Sequence, residues 1–237
     1  MTEITMAEIV AANYGLTTGG ITPPYPPPTK ATTALLLIDI QEIATPEYMA
    51  SKAIKAGLPE DQVHKAIADY KERFNAAVDK CSVLLESARR NKIQPIHVKI
   101  QAKTGDGRDT AMIHRMLGWA FPPGSPGTPW VPKTAPKDGE MVLTKAVSSC
   151  FNGTNLDQYL RYMGIQYLVI CGFVTDECVE TTFRDALDLS YMSFVVRDAT
   201  TTYFAEAHAH FINKMVGFGL APSADEIVPM FEAMPEK

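Results

Sequence analysis

A thiol, a carboxylate and an ammonium group, those of Cys178, Asp39 and Lys145, are the side chains of this sequence best suited to nucleophilic chemistry. A cysteine attacks as its thiolate, so its surroundings must lower the pKa of the thiol. Cys178 begins a predicted helix, where first-turn amides and the helix dipole favour negative charge. A neighbouring lysine would strengthen this effect, and a carboxylate could accept the proton. Together these groups indicate attack on a carbonyl carbon, with the same amides available to hold the oxyanion.

The other cysteines have a simpler interpretation. Cys81, Cys150 and Cys171 form no C-x-x-C pair and no zinc-like spacing, alone or with Cys178, so the sequence predicts neither a disulfide framework nor a metal knuckle. Cys81 falls in an amphipathic helical stretch and Cys171 ends an apolar run, as is typical of small buried side chains. The sequence also lacks the G-x-S-x-G, P-loop and complete G-x-G-x-x-G motifs, which excludes serine-elbow hydrolases and nucleotide-binding folds.

Strands and helices that would bring the three side chains together are predicted from the hydrophobic pattern. The continuous apolar run 34–40 is typical of a buried parallel strand, and apolar residues recur at three and four positions over 61–91, as in a helix. Further strands are predicted at 94–100, 141–144, 167–171 and 193–196, with helices at 154–163, 178–189 and 205–218 and a final short strand or helix from Ile227. This alternation predicts an α/β domain with a doubly wound parallel sheet covered on both faces.

Polar residues follow the predicted strands at the point where each strand ends. In doubly wound folds the ligand binds beyond the carboxyl ends of the strands. The residues that this rule places there are Asp39, Gln41, Lys99, Lys145, Arg197 and Asp198, together with the segment 173–178. An acid, a lysine and a cysteine that lie far apart in sequence are therefore predicted to meet at one edge of the sheet.

Length and composition limit the domain organisation. The 237 residues suit one domain with a sizeable core. Residues 1–33 are predicted as an extended leader, because the segment 19–30 is too rich in proline and glycine for helix or sheet, and residues 34–237 as the folded domain. The long irregular stretch 101–139 is rich in proline and glycine and is typical of the wall or lid of a site.

Charge and hydropathy restrict the partners and the location. A net charge of −5 disfavours nucleic acid or an anionic membrane as the main partner. No run of eighteen apolar residues is present to span a bilayer. Residues 1–14 carry acids and lack the basic start and continuous apolar stretch of a signal peptide. We therefore expect a cytoplasmic protein that binds neither nucleic acid nor membrane.

Three ordered motifs resemble those of the isochorismatase-like cysteine hydrolases. The segment 172–191, GFVTDECVETTFRDALDLSY, is similar to the family signature around its cysteine, with Ser190 in place of the usual glycine. The segment 35–41, LLLIDIQ, matches the first-strand motif that ends in Asp-x-Gln, and 139–145 with the residues up to Leu156 matches the lysine motif. The resemblance covers about residues 34–227, and it is weakest over 42–62, where the usual aromatic and acidic residues are missing.

The resemblance implies a fold, a catalytic triad and a reaction. The fold would be three-layer α/β/α with a mostly parallel sheet of six strands. Asp39 would be the general base, Lys145 would hold the carboxylate and the thiolate in position, and Cys178 would be the nucleophile. The backbone amides of Val174 and Cys178 would form the oxyanion hole, with a cis peptide before Val174. The implied reaction is attack on a carbonyl, loss of ammonia or an amine, and hydrolysis of the resulting thioester.

The histidines decide between the metal-dependent and metal-independent branches of this family. The nicotinamidase branch adds a metal site built from an aspartate and closely spaced histidines. The histidines of this chain are His64, His97, His114, His208 and His210. None has that arrangement, since His208 and His210, two apart on a predicted helix, face different directions. We interpret all five as structural or surface residues, and expect no metal and no cofactor.

Family members with this triad and no metal include hydrolases of N-carbamoyl compounds, biuret-like ureas, ureidoacrylate and maleamate. Their substrates offer a small planar amide or ureido group, often beside a carboxylate that requires a positive residue. Candidates for that residue are Lys99, Arg108, Arg115 and Lys133, and Gln41 either hydrogen-bonds the substrate or closes the strand end. The aromatic residues predicted to wall the pocket, or else to belong to the core, are Trp119, Phe121, Trp130 and Tyr203.

Other interpretations stay open at this point. Cys150 would either pack near Lys145 or resolve a disulfide with Cys178, and we favour packing because the family has a small residue there. The true isochorismatases cleave a vinyl ether and usually lack the cysteine, so hydrolysis of a C–N bond is preferred over vinyl-ether hydrolysis through Asp39 alone. A non-catalytic binding member of the fold is the third possibility. The expected partner is a small amide or ureido substrate, and the family implies a homodimer or homotetramer.

Overall fold

Five parallel strands form the sheet of this protein. The computed structural model describes residues 25–217 and 220–237, together with the isolated positions 4, 9, 12 and 13. The strands are β1 (Thr33–Ile38), β2 (Gln94–Ile100), β3 (Met141–Lys145), β4 (Tyr167–Phe173) and β5 (Met192–Thr201). Their order in the sheet is β3-β2-β1-β4-β5, and every neighbouring pair is parallel. The strand order reverses direction at β1, the doubly wound arrangement that the sequence predicts.

Helices connect the strands and cover both faces of the sheet. They are α1 (Pro46–Lys55), α2 (Glu60–Asn91), α3 (Met112–Met116), α4 (Leu156–Tyr162), α5 (Glu180–Asp188), α6 (Ala205–Gly217) and α7 (Ala224–Ala233). Short 3₁₀ turns occupy Lys30–Thr32, Glu42–Ala44 and Pro132–Thr134. The long helix α2 lies where the apolar spacing over 61–91 predicts a helix. Acidic residues occupy its first turn and arginines its last, and Lys92 ends it in the left-handed conformation.

Alternate residues of the central strand pack against different helical layers. All six residues of β1 are buried, as expected for a strand covered on both faces. Leu35 and Leu37 join the core formed with α2 and α7, whereas Leu36 and Ile38 join the core formed with α4, α5 and α6. The three-layer α/β/α architecture is confirmed.

The sheet has five strands in the described part of the chain, whereas the resemblance implies six. The segment 220–222 lies along the outer edge of β5, where the carbonyls of Leu220 and Pro222 accept hydrogen bonds from the amides of Val195 (2.9 Å) and Arg197 (3.0 Å). Proline has no N–H to continue such a ladder, so the segment stays a short edge contact. The residues after it form α7, begun by a capping box of Ser223 and Glu226.

Two further elements differ from their prediction. Helix α1 was not predicted, although Thr45 caps it and Pro46 occupies its first turn, which are sequence signals of a helix start. Strand β5 continues five residues beyond the predicted end, Val196. The polar pair Arg197 and Asp198 interrupts the apolar pattern, but the chain stays extended and pairs with β4 again at Thr200 and Thr201, after a shift of register.

The predicted leader falls mostly on residues 1–24, which lie outside the described residues except for isolated positions. The described part, from Tyr25 onward, is held against the domain at several points. The Tyr25 hydroxyl donates to the carbonyl of Ser190 (2.5 Å), and the Tyr167 hydroxyl donates to the carbonyl of Pro26 (2.6 Å). Among the helices that the structure describes, none combines the length and the apolar character needed to cross a membrane.

Gly172, at the end of β4, allows two strands to approach each other more closely than a side chain would permit. Its φ of +120° is a conformation that residues with a side chain rarely adopt. A Cβ at this position would collide with the backbone nitrogen, carbon and oxygen of Ile38. Since Asp39 follows Ile38 and the segment bearing Cys178 follows β4, this close approach fixes the spacing of both.

We expect Gly172→Ala to lower the free energy of unfolding by about 3 kcal/mol or more, because backbone must move to relieve the collision. The control is Gly164→Ala, whose φ is +70° but whose Cβ would meet nothing within 4 Å. That variant carries only the conformational penalty, about 1 kcal/mol. Urea unfolding followed by circular dichroism measures both, and equal losses would show that the sheet absorbs the collision.

Candidate active site

The three predicted catalytic side chains meet at the carboxyl edge of the sheet. Asp39 follows β1, Lys145 ends β3, and Cys178 lies in the turn after β4. The Lys145 Nζ lies 2.7 Å from Asp39 Oδ2, 3.2 Å from Cys178 Sγ and 3.0 Å from the carbonyl of Val147. These three partners use all the ammonium hydrogens, so Lys145 bridges the carboxylate and the sulfur and has no donor left for a ligand.

Asp39 is held in an unusual conformation with one oxygen unpaired. Its φ is +50°, which aspartate tolerates better than most residues, and its amide donates to the carbonyl of Val98 (2.8 Å). Oδ2 accepts from Lys145, whereas Oδ1 is buried and has no hydrogen-bond partner in the described part of the chain. A buried carboxylate oxygen without a partner is costly, and such atoms are concentrated at functional sites. Oδ1 is therefore positioned as a proton acceptor.

Burial dominates the electrostatics of Cys178. Cys178 is 8% exposed, and burial raises the pKa of its thiol well above the usual range; the Lys145 ammonium opposes this shift, and the Asp39 carboxylate adds to it. The expectation that its surroundings lower this pKa is therefore wrong, because the argument from the helix dipole omits the loss of solvation. Burial alone would lower the pKa of Lys145, but Asp39 and Cys178 raise it, so its ammonium stays charged.

A turn of π-helix carries the cysteine. Residues Thr175–Val179 form this turn ahead of α5, where the sequence predicts an ordinary helix start. The Val179 amide donates to the carbonyl of Val174 (3.3 Å) and the Glu180 amide to that of Thr175, so neither bond occupies the amide of Cys178. The peptide between Phe173 and Val174 is cis, as the resemblance implies. π-Helical turns are rare and frequent at functional sites.

Thr175 anchors the start of this turn to two neighbouring elements. Its hydroxyl lies 2.9 Å from the Thr200 hydroxyl of β5 and 2.9 Å from His208 Nδ1 of α6. Burial lowers the pKa of His208, which favours the neutral ring as hydrogen-bond partner. The ring of His97 likewise has a side-chain partner, since its Nε2 lies 3.0 Å from Glu140 Oε2. Among the described residues, no group of three or more His, Cys, Asp or Glu side chains is arranged to hold a metal ion.

A small cavity of about 40 Å³ lies next to Cys178. Its wall includes Asp39, Cys178, Glu177, Trp119 and Tyr203. Trp119 and Tyr203 also line an outer chamber of about 300 Å³, and Tyr203 in addition lines an apolar groove of about 460 Å³ between α1 and α2. The structure thus places both of these predicted aromatic residues at the site, and the irregular stretch 101–139 forms part of its wall.

Two residues predicted to bind substrate lie elsewhere. Gln41 is fully buried, and its amide group is used by backbone: Nε2 donates to Thr128 (3.0 Å) and Ile100 (3.3 Å), and Oε1 accepts from the amide of Ile100 (2.7 Å). Gln41 therefore closes the strand end, which is the second of the two roles that the sequence allows for it. Arg108 has a side chain 77% exposed, with Asp106 its nearest acid at 3.8 Å, and does not line the cavity.

The other candidate cations are also directed away from the sulfur. Arg115 is exposed, and Lys133 pairs with Asp79 on the surface. Lys99 precedes Ile100, which lines the cavity, so strand alternation turns Lys99 to the opposite face, over the Trp130 ring at 5.5 Å. None of these four candidates lines the inner cavity or the outer chamber.

Glu177 is a site residue that sequence reasoning missed. It occupies the variable position of the Thr-Asp-x-Cys motif, directly before Cys178, and it is one of the residues that line the inner cavity. Burial raises the pKa of its carboxyl, the charge of Asp176 adds to this shift, and Lys145 opposes it. Its acidic type next to the predicted nucleophile was the available signal.

Arg73 of α2 is a second residue missed, and it positions the loop that carries Tyr203. Its guanidinium donates to the Thr201 hydroxyl (2.6 Å), the carbonyl of Thr202 (2.6 Å) and the carbonyl of Tyr203 (3.1 Å). Fork-shaped donation of this kind is specific to arginine. The only feature of the sequence that indicates this role is a positively charged residue on the side of a long helix that faces the core.

We expect Arg73→Ala to raise KM about tenfold with a smaller change in kcat, because the Tyr203 wall loosens while the triad is untouched. Asp69→Asn is the matched control, since it removes only the exposed ionic partner of Arg73 and leaves the loop contacts in place. Steady-state kinetics on both variants measure the effect. An unchanged KM in Arg73→Ala would contradict a positioning role.

Comparison with known proteins identifies a family and several relatives of this chain. Residues 33–226 match the family model of the Isochorismatase domain. Ureidoacrylate amidohydrolase RutB of Stutzerimonas stutzeri (strain A1501) is 37% identical over 108 residues, which cover 45% of this chain and 44% of that protein. Across eight curated relatives, the aligned region spans 30% to 44% of the relative's length.

Solved structures share the fold over most of their length. A cysteine hydrolase from Pseudomonas syringae pv. phaseolicola 1448A superposes with a TM-score of 0.70 at 20% identity, covering 88% of this chain and 96% of that chain. N-carbamoylsarcosine amidase from Thermoplasma acidophilum superposes with a TM-score of 0.61 at 23% identity, covering 82% and 97%. At this level of identity the similarity concerns the fold.

Proposed function

This chain belongs to the isochorismatase family, and we propose that it is a cysteine-dependent hydrolase that cleaves the C–N bond of a small amide, carbamoyl or ureido compound. The single observation that carries the proposal is the bridge by Lys145 Nζ between Asp39 Oδ2 and Cys178 Sγ, beside an unpartnered Asp39 Oδ1. Nucleophile, proton acceptor and fixed positive charge are thereby within reach of one small cavity.

The first half of the reaction forms an acyl-enzyme. Cys178 Sγ attacks the carbonyl carbon as its proton passes to Asp39 Oδ1, and Lys145 stabilises the negative charge on sulfur. The amides of Val174 and Cys178 hold the oxyanion of the tetrahedral intermediate. Asp39 then returns the proton to the leaving nitrogen, the C–N bond breaks, and ammonia or an amine departs from a thioester.

The second half regenerates the enzyme. Water enters the cavity, Asp39 accepts one of its protons, and the resulting hydroxide attacks the thioester carbonyl under the same two amides. Collapse breaks the C–S bond, and the proton on Asp39 returns to the Cys178 sulfur. The products are a carboxylic acid from an amide, or a carbamic acid from a ureido compound.

The printed names of related proteins support this choice of reaction. A curated relative is called an amidohydrolase of ureidoacrylate, and a structural neighbour is called an amidase of N-carbamoylsarcosine. Both names describe a carbonyl bonded to nitrogen.

We also propose that the protein works in the cytoplasm as a homodimer or homotetramer. Light scattering that gives the mass of one chain would contradict the oligomer.

Intact-protein mass spectrometry during incubation with a panel of small amides and ureas, with ammonia release followed in parallel, tests the proposal. We expect a transient mass increase equal to the acyl group, together with ammonia. Alkylation of Cys178 by iodoacetamide should abolish both signals. Turnover that persists after complete alkylation would instead favour vinyl-ether hydrolysis or another reaction through Asp39 alone, and binding without any product would favour a non-catalytic member.

A further inference from the structure

We propose that the substrate of this site is uncharged next to its scissile bond and carries an apolar substituent instead of a carboxylate. In this proposal Glu177 selects the substrate, because its carboxylate accepts a hydrogen bond from an N–H of the amide or ureido group. This inference rests on the proposed function, because it names the class of substrate for the same cysteine. It goes against the carboxylate-bearing substrates that the family resemblance suggests.

The charges around the sulfur support the first part of the proposal. Every lysine and arginine of the sequence lies in the described part of the chain. None of them lines the inner cavity, and Lys145, which contacts two of the lining residues, has its three donors used by Asp39, Cys178 and Val147. A substrate carboxylate entering this cavity would lose its hydration without gaining a cation, which is strongly unfavourable.

Glu177 adds a charge of the same sign as such a substrate. Glu177 lines the inner cavity together with Asp39 and Cys178, and within the described residues its carboxyl forms neither an ion pair nor a side-chain hydrogen bond. The neighbouring Glu180, by contrast, is paired with Arg184 at 2.6 Å. An unpaired, half-buried carboxyl beside the nucleophile repels an anionic ligand and gains a hydrogen bond from an N–H donor.

The sizes of the two spaces support the second part of the proposal. The inner cavity, about 40 Å³, holds little more than the reacting amide group. The outer chamber, about 300 Å³, is next to it and shares three of its lining residues, Ile43, Trp119 and Tyr203. Its other walls are mostly apolar, and its one cation, Lys52, is exposed at the rim. The chamber therefore suits an aliphatic or aromatic substituent.

Two pairs of compounds that differ only by a terminal methyl or carboxylate test this selection. They are butanamide with succinamate, and propylurea with 3-ureidopropanoate. We expect the wild-type kcat/KM to favour the uncharged member of each pair by at least about tenfold. Glu177→Gln should reduce this preference to less than about threefold, and Glu177→Lys should reverse it, because the repelling charge is removed or replaced by an attracting one. Glu180→Gln, the same change three residues away, should leave the preference at the wild-type value.

Binding to the Cys178→Ala variant, measured by calorimetry with the same four compounds, separates this inference from the proposed function. We expect the uncharged compounds to bind at least about tenfold more tightly whether or not the wild type turns any of them over. Tighter binding or faster turnover of the carboxylates, no binding of the uncharged members, or an unchanged preference in Glu177→Gln would overturn the inference. Absence of turnover and acylation alone would overturn only the proposed function.

Discussion

Replacing Cys178 with alanine or serine is expected to lower kcat/KM for amide hydrolysis by at least about 10⁴-fold while the protein stays folded. Lys145 Nζ contacts the Cys178 sulfur at 3.2 Å, and Cys178 is one of the residues that line the inner cavity. Serine keeps the size and the hydrogen-bonding capacity of the side chain. Its hydroxyl is a far weaker acid than a thiol, however, and Asp39 would not deprotonate it readily.

The thiol of Cys150 provides a matched control for this prediction. It is also buried, and burial raises its pKa to about 12, but it does not line the cavity. Cys150→Ala should therefore keep turnover within about threefold of wild type, and the acyl adduct should still form. Ammonia release and intact mass measure both variants. Retained turnover in Cys178→Ser, or equal loss in Cys150→Ala, would remove Cys178 from the role of nucleophile.

Lys145→Met is expected to abolish activity and to destabilise the fold by about 3 to 5 kcal/mol. The side chain of Lys145 is 0% exposed and that of Asp39 is 7% exposed, with 2.7 Å between their charged atoms. Methionine fills a similar volume but leaves the Asp39 carboxylate buried without its counter-charge. The fixed positive charge that would stabilise the thiolate is lost in the same step.

A double variant separates the structural and catalytic parts of this effect. Asp39→Asn combined with Lys145→Met removes both charges, so most of the lost stability should return while activity stays absent. The exposed pair Lys133–Asp79 is the control: Lys133→Met should cost less than about 1 kcal/mol. Chemical unfolding of the four proteins checks the prediction, and a Lys145→Met variant as stable as wild type would contradict a buried ion pair.

Much of this site could be predicted from sequence because its parts are tied to local patterns. A continuous apolar run and helical spacing are properties of neighbouring residues, so β1, β2 and α2 were predicted to within one or two residues. Once alternating strands and helices indicate a parallel sheet, the carboxyl ends of its strands must share an edge. The meeting of Asp39, Lys145 and the segment bearing Cys178 follows from that rule and from the family motifs.

Side-chain direction, burial and the balance of charge were decided by the tertiary structure. Gln41 and Lys99 lie near the ends of strands, as the triad residues do. The side chain of Gln41, however, is hydrogen-bonded to the backbone, and that of Lys99 faces Trp130. Glu177 is next to Cys178 in the chain, but only the packing shows that Glu177 lines the cavity and that its carboxyl has no partner among the described residues. Whether the pKa of the Cys178 thiol rises or falls depends on its burial and on the charges of Lys145 and Asp39. Contacts between distant segments of the chain determine all three. Sequence patterns specify which residues share an edge, because they depend on neighbouring residues; packing between distant segments determines which of those side chains lose water and which charges they face.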